Sequence, residues 1–493
     1  MSIFKRNRTV SLDDDNRINN WAYMWMAIFM LFGYALLSVV QYLFGVTVLR
    51  WFSVAIIVLL MFSLAYSAWK KTTNEKRIVH TILFVAIVIR LYYIIVTAQA
   101  AYAGEVYEVI QTMNKEMTLP DVAQPLYYVM ASALSSFAGM ISFTASAPME
   151  IVRLVNEYFS VVCVIIIHYI LCELEVNDTA IYLGVSITAF HPGLIITGGE
   201  LSPTMMLTML LMFTMLYLFR WNNFTDGYNF VLMSVCFGLA AMTDLRAFVF
   251  MPVIFVLAII NIVRVFKRKQ AINMISNVIQ TAVGLVIWIV LSFAYPIRNL
   301  MAGRSTGLLS LAGDISANSA NSNAGIRVFS FSLNELLLVF TNPQDKNAWA
   351  HLVKSSMFGS SEKSLLDINI MKIFILLSLA IFIIMAFMGI ASMVAKIDAK
   401  KKVNVWTMAA LCLCVVGYYI LLNIGRPVVA SMKFGNIAVI LAIGVAMMGS
   451  GINVLNKKKK LNFVSGILYM LIVAAGYLFC TCSVVYSMIF FVQ

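Results

Sequence analysis

The sequence predicts an all-α membrane protein that crosses the bilayer many times. Of its 493 residues, 62% are hydrophobic and only 12% are charged, and the mean hydropathy is +0.90. A soluble domain carries about 25% charged and about 45–50% apolar residues. The apolar residues lie in runs of about 18 to 25, long enough for a helix to cross a hydrocarbon core of about 30 Å. The composition therefore excludes soluble classes, and the run length favours helices over barrel strands.

The basic residues predict the orientation of the chain. Lys and Arg outnumber Asp and Glu, 35 against 22, and they are gathered in short clusters between the apolar runs. This pattern is typical of membrane topology, so we expect no nucleic-acid partner. The positive-inside rule places these clusters, and the N-terminus, in the cytoplasm and the C-terminus outside. The clusters are residues 5–17, 70–77, 264–269, 396–402 and 457–460.

Alternation between the basic clusters predicts about thirteen transmembrane helices. The count requires one irregular element, because otherwise the cluster 264–269 would lie outside. We expect the apolar stretch 126–143 to enter and leave on the same side, or a neighbouring run not to span fully. A helix break is also predicted where His191 precedes Pro192.

Four segments follow from this topology. Residues 1–77 hold a cytoplasmic head and two additional N-terminal transmembrane helices, and residues 78–297 form a membrane core with an external loop at 99–125. Residues 298–369 form a large external loop, in which NELLLVF predicts an interfacial helix. Residues 370–493 supply the C-terminal transmembrane helices.

Acidic residues in the first external loop are candidate catalytic groups. Glu105 and Asp121 flank a short polar segment, and a carboxylate partly shielded by lipid and protein can deprotonate an acceptor hydroxyl. The alternative is a solvated amphipathic helix in which Glu105 and Glu108 share one face by their spacing.

Basic residues at several outer helix ends form a candidate phosphate site. Arg offers paired hydrogen bonds to an anion and Lys a compact charge. Each one alone has a simpler interpretation, since Arg90 can extend to the interface and Arg246 can pair with Asp244. Their common external side favours a joint role. The set is Arg90, Arg246, Arg298 and Lys433.

The spacing of the cysteines and histidines in the sequence shows no metal-ligand pattern. Six of the seven cysteines lie inside apolar runs, Cys172 lies at the end of one, and the four histidines are scattered. We therefore assign no disulfide and no metal site, and a divalent metal is not indicated.

Spaced motifs between residues 78 and 440 resemble the GT-C glycosyltransferases, specifically glycosyltransferase family 39. This family includes polyprenyl-phosphate-mannose protein mannosyltransferases and lipid A aminoarabinose transferases. The motifs follow the family's order, although Gly104 replaces an Asp, one proline is missing before Leu126, and Asp244 precedes Arg246. The matching stretches are IVIRLYY with Arg90, GEVYEV with Glu105, DVAQPLYY with Asp121 and Gln124, EIVRLVN with Arg153, HPGLIITGGELSP, FGLAAMTDLRAF with Arg246, YPIRN with Arg298 and Asn299, and a loose match at Lys433 and Phe434.

The resemblance implies a GT-C-like bundle and an inverting glycosyltransferase. A sugar would pass from a polyprenyl-phosphate donor to a hydroxyl of a glycan, lipid or protein on the external face. Glu105 would be the general base and Asp121 a second carboxylate. The four basic residues named above would bind the donor phosphate, and the supporting residues would be Gln124, Tyr127, Tyr128, Arg153 and Asn299.

Two other functions remain open at this level. A polysaccharide polymerase would use lipid-pyrophosphate oligosaccharides, and the long external loop fits it equally well. A non-enzymatic flippase or transporter of lipid-linked sugars would require polar residues along a path through the membrane. For any of the three, a bacterial cytoplasmic membrane is the expected location.

Overall fold

The computed structural model is helical throughout the part of the chain that it describes. No strand occurs in those residues, which confirms the predicted all-α class. The described residues are 20–70, 72, 74–98, 105–116, 124–141, 147–224, 227–267, 271–303, 324–330, 333–337, 347–359, 368–395, 399–425, 429–458 and 463–490.

Eighteen α-helices and three short 3₁₀ turns make up these residues. The helices in the first part of the chain are α1 (Asn20–Trp69), α2 (Glu75–Val96), α3 (Glu105–Glu116), α4 (Leu126–Ile141), α5 (Ala147–Glu173), α6 (Asp178–Phe190), α7 (Pro192–Gly199), α8 (Thr204–Phe224) and α9 (Gly227–Thr243). Those in the second part are α10 (Met251–Lys267), α11 (Ala271–Met301), α12 (Ala324–Phe329), α13 (Leu333–Leu337), α14 (Ala348–Phe358), α15 (Ile368–Val394), α16 (Ala399–Gly425), α17 (Val439–Lys458) and α18 (Phe463–Phe490). The 3₁₀ turns are Leu245–Phe250, Val429–Met432 and Phe434–Ile437.

The apolar helices confirm a protein that spans the membrane many times. Among the described residues, nine helices are long and apolar enough to cross, or ten when the bent pair α6 and α7 is taken as one span. Three more apolar helices, α4, α9 and α10, are shorter. The count of thirteen is not confirmed, and the boundaries of the four predicted segments stay predictions.

The helix α1 is interrupted at Gly45. Its 50 residues would measure about 75 Å as one straight helix, far more than a hydrocarbon core of about 30 Å. Gly45 has φ 81° and ψ 174°, a conformation open to glycine because it has no Cβ. The residues on either side of Gly45 are each numerous enough for one span, as the prediction of two N-terminal helices requires.

The helix break predicted at His191 is confirmed. The axes of α6 and α7 differ in direction by 43° across this residue. His191 caps α7 by accepting a hydrogen bond at Nδ1 from the Gly193 N–H, 3.2 Å away, and Pro192 occupies the first turn, where its missing N–H costs nothing. The imidazole stacks on the ring of Phe434, with centroids 5.3 Å apart.

Whether the stretch 126–143 crosses the membrane stays a prediction. Its described part, α4, is one helix of 16 residues without an internal break. A helix of this length measures about 24 Å, less than the core thickness, so it is a short span or a tilted surface helix. Within the described residues, the broken run α6–α7 is the one pair of apolar helices that bends by more than 40° at a short break.

The helices divide into an inner group and an outer group. In α5, α8 and α17, between 72% and 83% of the residues in the apolar stretch are buried. In α1 and α11, only 11% of the residues in the apolar stretch are buried. A helix buried on all sides within a membrane protein packs on protein rather than lipid. The inner group therefore forms the core, and its ends position the site described below.

The large loop contributes a buried helix. The predicted helix in NELLLVF is confirmed by α13, although its position at the interface is untested. The helix α14 is buried over nearly its whole length, and it contacts α7, α15 and the turn Phe434–Ile437. Asn347 caps α14 by accepting hydrogen bonds from the N–H groups of Trp349 and Ala350. The loop is thus partly built into the bundle.

Candidate functional site

The ends of several inner helices meet on one side of the bundle, at the turn between α7 and α8. Two glycines close α7, and both lie against other helices. A Cβ added to Gly198 would overlap the carboxylate of Glu157, and one added to Gly199 would overlap the ring of Tyr93. Glycine is therefore required here for close packing. The turn that follows starts with Glu200 in extended conformation.

Arg153 fixes the position of this turn. Its fully buried guanidinium donates hydrogen bonds to the Gly199 carbonyl from Nε at 2.7 Å and to the Thr97 hydroxyl from Nη2 at 2.6 Å. A third bond runs from Nη1 to the Ile94 carbonyl at 3.3 Å. Arg153 therefore ties the end of α2 and the start of α5 to the end of α7, which is a positioning role.

The segment QPLYY contacts the same turn. Asn156 donates a hydrogen bond to the hydroxyl of the buried Tyr127 at 2.9 Å and another to the Glu200 carbonyl at 2.8 Å. The amide nitrogen of Gln124 is buried and has no hydrogen-bond partner in the described part of the chain. The predicted supporting residues Tyr127 and Arg153 thus adjoin one turn.

Arg246 lies at the centre of the outer end of the bundle. Its Nη2 donates to Asp244 Oδ2 at 2.8 Å and to the Thr204 hydroxyl at 3.2 Å. Its Nη1 donates to Asn436 Oδ1 at 3.2 Å and to the Gly435 carbonyl at 3.4 Å. The guanidinium is mostly buried, with 15% of the side chain exposed. It connects α8, the turn Leu245–Phe250 and the turn Phe434–Ile437.

A carboxyl and an ammonium accompany Arg246 at this end. Lys433 lies directly before the turn Phe434–Ile437, and Glu200 lies close enough to interact electrostatically with it. Burial raises the pKa of the Glu200 carboxyl above its ordinary value, and the Lys433 ammonium opposes this rise. The tyrosine Tyr128 also lies within electrostatic reach of Arg246.

The helix α14, which belongs to the large loop, holds the backbone next to Lys433. The hydroxyl of Ser355 in α14 accepts a hydrogen bond from the Phe434 N–H at 2.9 Å. Tyr419 in α16 places its hydroxyl 2.7 Å from the Ala348 carbonyl and 2.8 Å from the Met432 carbonyl. The backbone on both sides of Lys433 is therefore held by α14 and α16.

A small cavity adjoins Arg246. It lies between α8, α16 and the turns at Arg246 and Asn436, and its volume of about 20 Å³ has room for about one water molecule. Most of its lining is apolar, and Arg246, Asn436, Thr208 and Tyr418 add polar groups.

The grouping of these residues agrees with the predicted topology. Arg246 and Lys433 precede α10 and α17, and each of those helices ends at a basic cluster that the charge rule assigns to the cytoplasm. Contacts from Arg246 to Thr204 and Asn436 bring three helix starts together independently of that rule. That this side is external stays a prediction of the charge rule.

Arg90 lies deeper than the other basic residues. It is fully buried, and it donates to the Ser160 hydroxyl at 2.9 Å and to the Ala189 carbonyl at 2.7 Å. Its Nε lies 3.5 Å from Glu157 Oε2, so the partner that the structure provides is Glu157. The guanidinium is engaged by protein groups inside the bundle and does not extend to the interface.

Arg298 and Asn299 end α11 on the periphery. Arg298 is exposed, with its guanidinium 5.0 Å from the centre of the Tyr295 ring, whereas Asn299 is buried. Neither residue is brought to the Arg246 group by the contacts of the described residues. The side chain of Glu105, which is the first residue of α3, and the whole of Asp121 lie outside the described residues.

Three contributors to this site were not predicted from the sequence. Glu200 is the one acidic residue in TGGELSP, a turn of otherwise small and polar residues. This isolated acidic residue is the sequence feature that could have identified it as a site residue. Asn436 has no sequence signal. Glu157 lies in the same helix as Arg153, and a second ionisable residue in a membrane helix is itself an indication of a buried pair.

Comparison with known proteins leaves the family undetermined. No family model and no curated protein matches the chain. Two crystal structures of ArnT from Cupriavidus metallidurans are similar to it, each over 80% of both chains. The one bound to undecaprenyl phosphate has 13% sequence identity and a TM-score of 0.36, and the one in the apo state has 12% and 0.37. Scores this low support no inference about function.

Proposed function

We propose that this protein is a membrane glycosyltransferase that transfers a sugar from a polyprenyl-phosphate donor to an acceptor hydroxyl on the external face. The observation that carries the proposal is that Arg246 and Lys433 both adjoin the turn between α7 and α8: Arg246 donates to Thr204, and Lys433 lies within electrostatic reach of Glu200. The family resemblance had already assigned both residues to the donor phosphate. Two cations at the outer end of a membrane bundle suit a lipid phosphate.

Arg246 would supply a preorganised charge for the phosphate. Its side chain is already fixed by Asp244, Thr204 and Asn436, so little reorientation is needed when negative charge grows on a ligand. Asp244 neutralises part of this charge in the absence of a ligand, and Lys433 adds a second positive charge. The net balance among Arg246, Asp244, Lys433 and Glu200 favours an anion only when Glu200 is protonated.

The reaction would be a single inverting displacement. The acceptor oxygen forms a bond to the anomeric carbon, and the bond from that carbon to the phosphate oxygen breaks. The phosphate retains the electron pair, and the acceptor proton passes to a carboxylate. We propose Glu105 as this base with Asp121 as the second carboxylate, and we keep Arg298, in the last turn of α11, as a proposed donor contact.

Arg90 has a different place in this proposal. Its contacts with Glu157, Ser160 and Ala189 satisfy the guanidinium inside the bundle, beneath the Gly198–Gly199 turn. We propose that Arg90 stabilises that turn through these contacts and does not bind the phosphate directly. A buried charge without its partner is costly, so loss of either residue would disturb the turn.

Equilibrium binding of undecaprenyl phosphate to the full-length protein in nanodiscs tests the donor site. We expect Arg246→Gln and Lys433→Gln each to weaken binding about 10- to 100-fold, the effect of losing one charged hydrogen-bond partner. Arg220→Gln is the matched control, because Arg220 pairs with Glu173 at the opposite end of α8. Equal binding by wild type and both site variants would contradict the phosphate assignment.

A further inference from the structure

A second group of ligand-type side chains lies at the cytoplasmic end of the bundle. Glu75 begins α2, and His168 and Cys172 lie one helical turn apart near the end of α5. One carboxylate oxygen, one imidazole nitrogen and the thiol sulfur all lie within 4.8 Å of one another. Glu75 is 93 positions before His168 in the chain, so sequence spacing gives no sign of the group.

Two of the three distances within this group are close to the edges of a metal coordination tetrahedron. Glu75 Oε1 lies 3.5 Å from His168 Nε2, and Cys172 Sγ lies 3.7 Å from the same nitrogen. Two ligand atoms of a tetrahedral zinc ion, with bonds of about 2.0–2.3 Å, are about 3.3–3.6 Å apart. The third pair, the Glu75 carboxylate oxygen and Cys172 Sγ, lies within 4.8 Å, and closing it to the same length would bring all three atoms into contact with one ion.

The chemistry of the three ligands selects a transition metal. Thiolate and imidazole are poor ligands for Mg²⁺ or Ca²⁺, whereas one sulfur, one nitrogen and one carboxylate oxygen suit Zn²⁺. The cytoplasm keeps thiols reduced, so Cys172 would be available there. Binding would release the thiol proton to solvent and place the thiolate, the imidazole and the carboxylate on the ion.

The neighbouring ionisable residues do not compete with Glu75, His168 and Cys172 for one another. Glu173, adjacent to Cys172, is engaged elsewhere, since it accepts a hydrogen bond from Asn223 at 2.6 Å and pairs with Arg220 at 3.7 Å. His80, on α2, lies within electrostatic reach of His168. It is exposed and is therefore able to approach as a fourth ligand, in place of water.

We propose that Glu75, His168 and Cys172 bind one Zn²⁺ ion that clamps the cytoplasmic ends of α2 and α5. These two helices also carry Arg90 and Arg153, so the clamp fixes the helices that hold the external site. The proposal is independent of the glycosyltransferase assignment, because it rests on residues at the opposite end of the bundle.

Titration of the metal-free, full-length protein with Co²⁺ tests this site. We expect d–d absorption that saturates at one equivalent, a thiolate-to-cobalt charge-transfer band, and displacement of both by Zn²⁺. Cys172→Ser should remove the charge-transfer band, and His168→Ala should weaken binding more than about 100-fold, since even an outer-shell partner contributes about 10- to 100-fold. Zn²⁺ should also raise the unfolding temperature of the wild type but not that of His168→Ala.

Two further variants separate metal binding from general damage. Cys414→Ser alters a cysteine on α16, away from the group, and should leave titration unchanged. Cys172→His supplies another metal ligand, and it should retain Zn²⁺ binding without the charge-transfer band. Absence of a cobalt spectrum in folded wild type, or an identical spectrum in Cys172→Ser, would overturn the proposal.

Discussion

The guanidinium of Arg246 donates a hydrogen bond to the side-chain oxygen of Asn436, 190 positions further along the chain, at 3.2 Å. This bond joins the turn before α10 to the turn before α17. Lys433 lies three residues before Asn436 and within electrostatic reach of Glu200, in the turn that leads to the Arg246 partner Thr204. The site thus depends on two segments that the sequence shows only as separate helix starts.

Arg246→Lys should reduce transfer even though the charge is kept. Lysine has no planar fork, so it cannot contact Asp244, Thr204 and Asn436 together. We expect a loss of about 10²–10³ in turnover, the usual effect of removing one preorganised donor. Single-turnover kinetics would measure it, with Arg220→Lys as the control. Unchanged turnover would limit Arg246 to a structural ion pair with Asp244.

Glu200→Gln should remove a pH dependence of stability. Burial raises the pKa of Glu200 above its ordinary 4.5. Between that value and the raised one, the folded protein holds a proton that the unfolded chain has lost, so the free energy of unfolding falls as pH rises. The variant should lack this decline, and Lys433→Met should extend it to higher pH.

Unfolding temperatures in detergent, taken from pH 4.5 upward, would check this dependence. Glu108→Gln, at an exposed position, is the matched control. Parallel decline in the wild type and in Glu200→Gln would assign the pH dependence to another group.

Glu105→Gln tests the proposed base. The amide cannot accept the acceptor proton, so turnover should fall by about 10²–10⁴ while donor binding stays the same. Glu108→Gln, three residues later on α3, should have little effect. A variant at Glu105 that retains wild-type turnover would transfer the role to another carboxylate, and Glu200 is the described one nearest to Lys433.

Gly198→Ala should destabilise the protein by about 1–3 kcal/mol, the usual cost of inserting a methyl group into a packed interior. The new Cβ would overlap the Glu157 carboxylate and approach Ser160 Cβ to 3.1 Å. Gly435→Ala is the control, because its nearest contact would be an ordinary 3.7 Å. Thermal unfolding of both variants would show the difference, and equal stability would mean that α7 is not tightly held.

The all-α class is well predicted from the sequence because the lipid bilayer requires every backbone polar group to be hydrogen-bonded within the protein. Runs such as 78–98 and 152–173 are apolar along their whole length, and no other secondary structure satisfies their backbone in a bilayer. The break at His191 is also predictable, since Pro192 cannot continue the hydrogen bonding of α6.

The site is less predictable because it depends on which helix ends meet. The charges at Arg246 and Lys433 were visible in the sequence, but Glu200 and Asn436 acquire their role only through packing. The burial of α14 was not visible either, because an 11-residue helix within a polar loop gives no spanning signal. The buried position of Arg90 depends on its ion pair with Glu157. A single sequence does not show which residue is this partner.

The most direct test of the account is single-turnover transfer from a panel of radiolabelled polyprenyl-phosphate hexoses to membrane acceptors by the purified protein. The account predicts that one donor supports transfer, and that Arg246→Gln and Glu105→Gln each reduce it at least about 100-fold. Folded wild-type protein that transfers no sugar from any monophosphate donor would contradict the account, and it would favour a polymerase or a flippase instead.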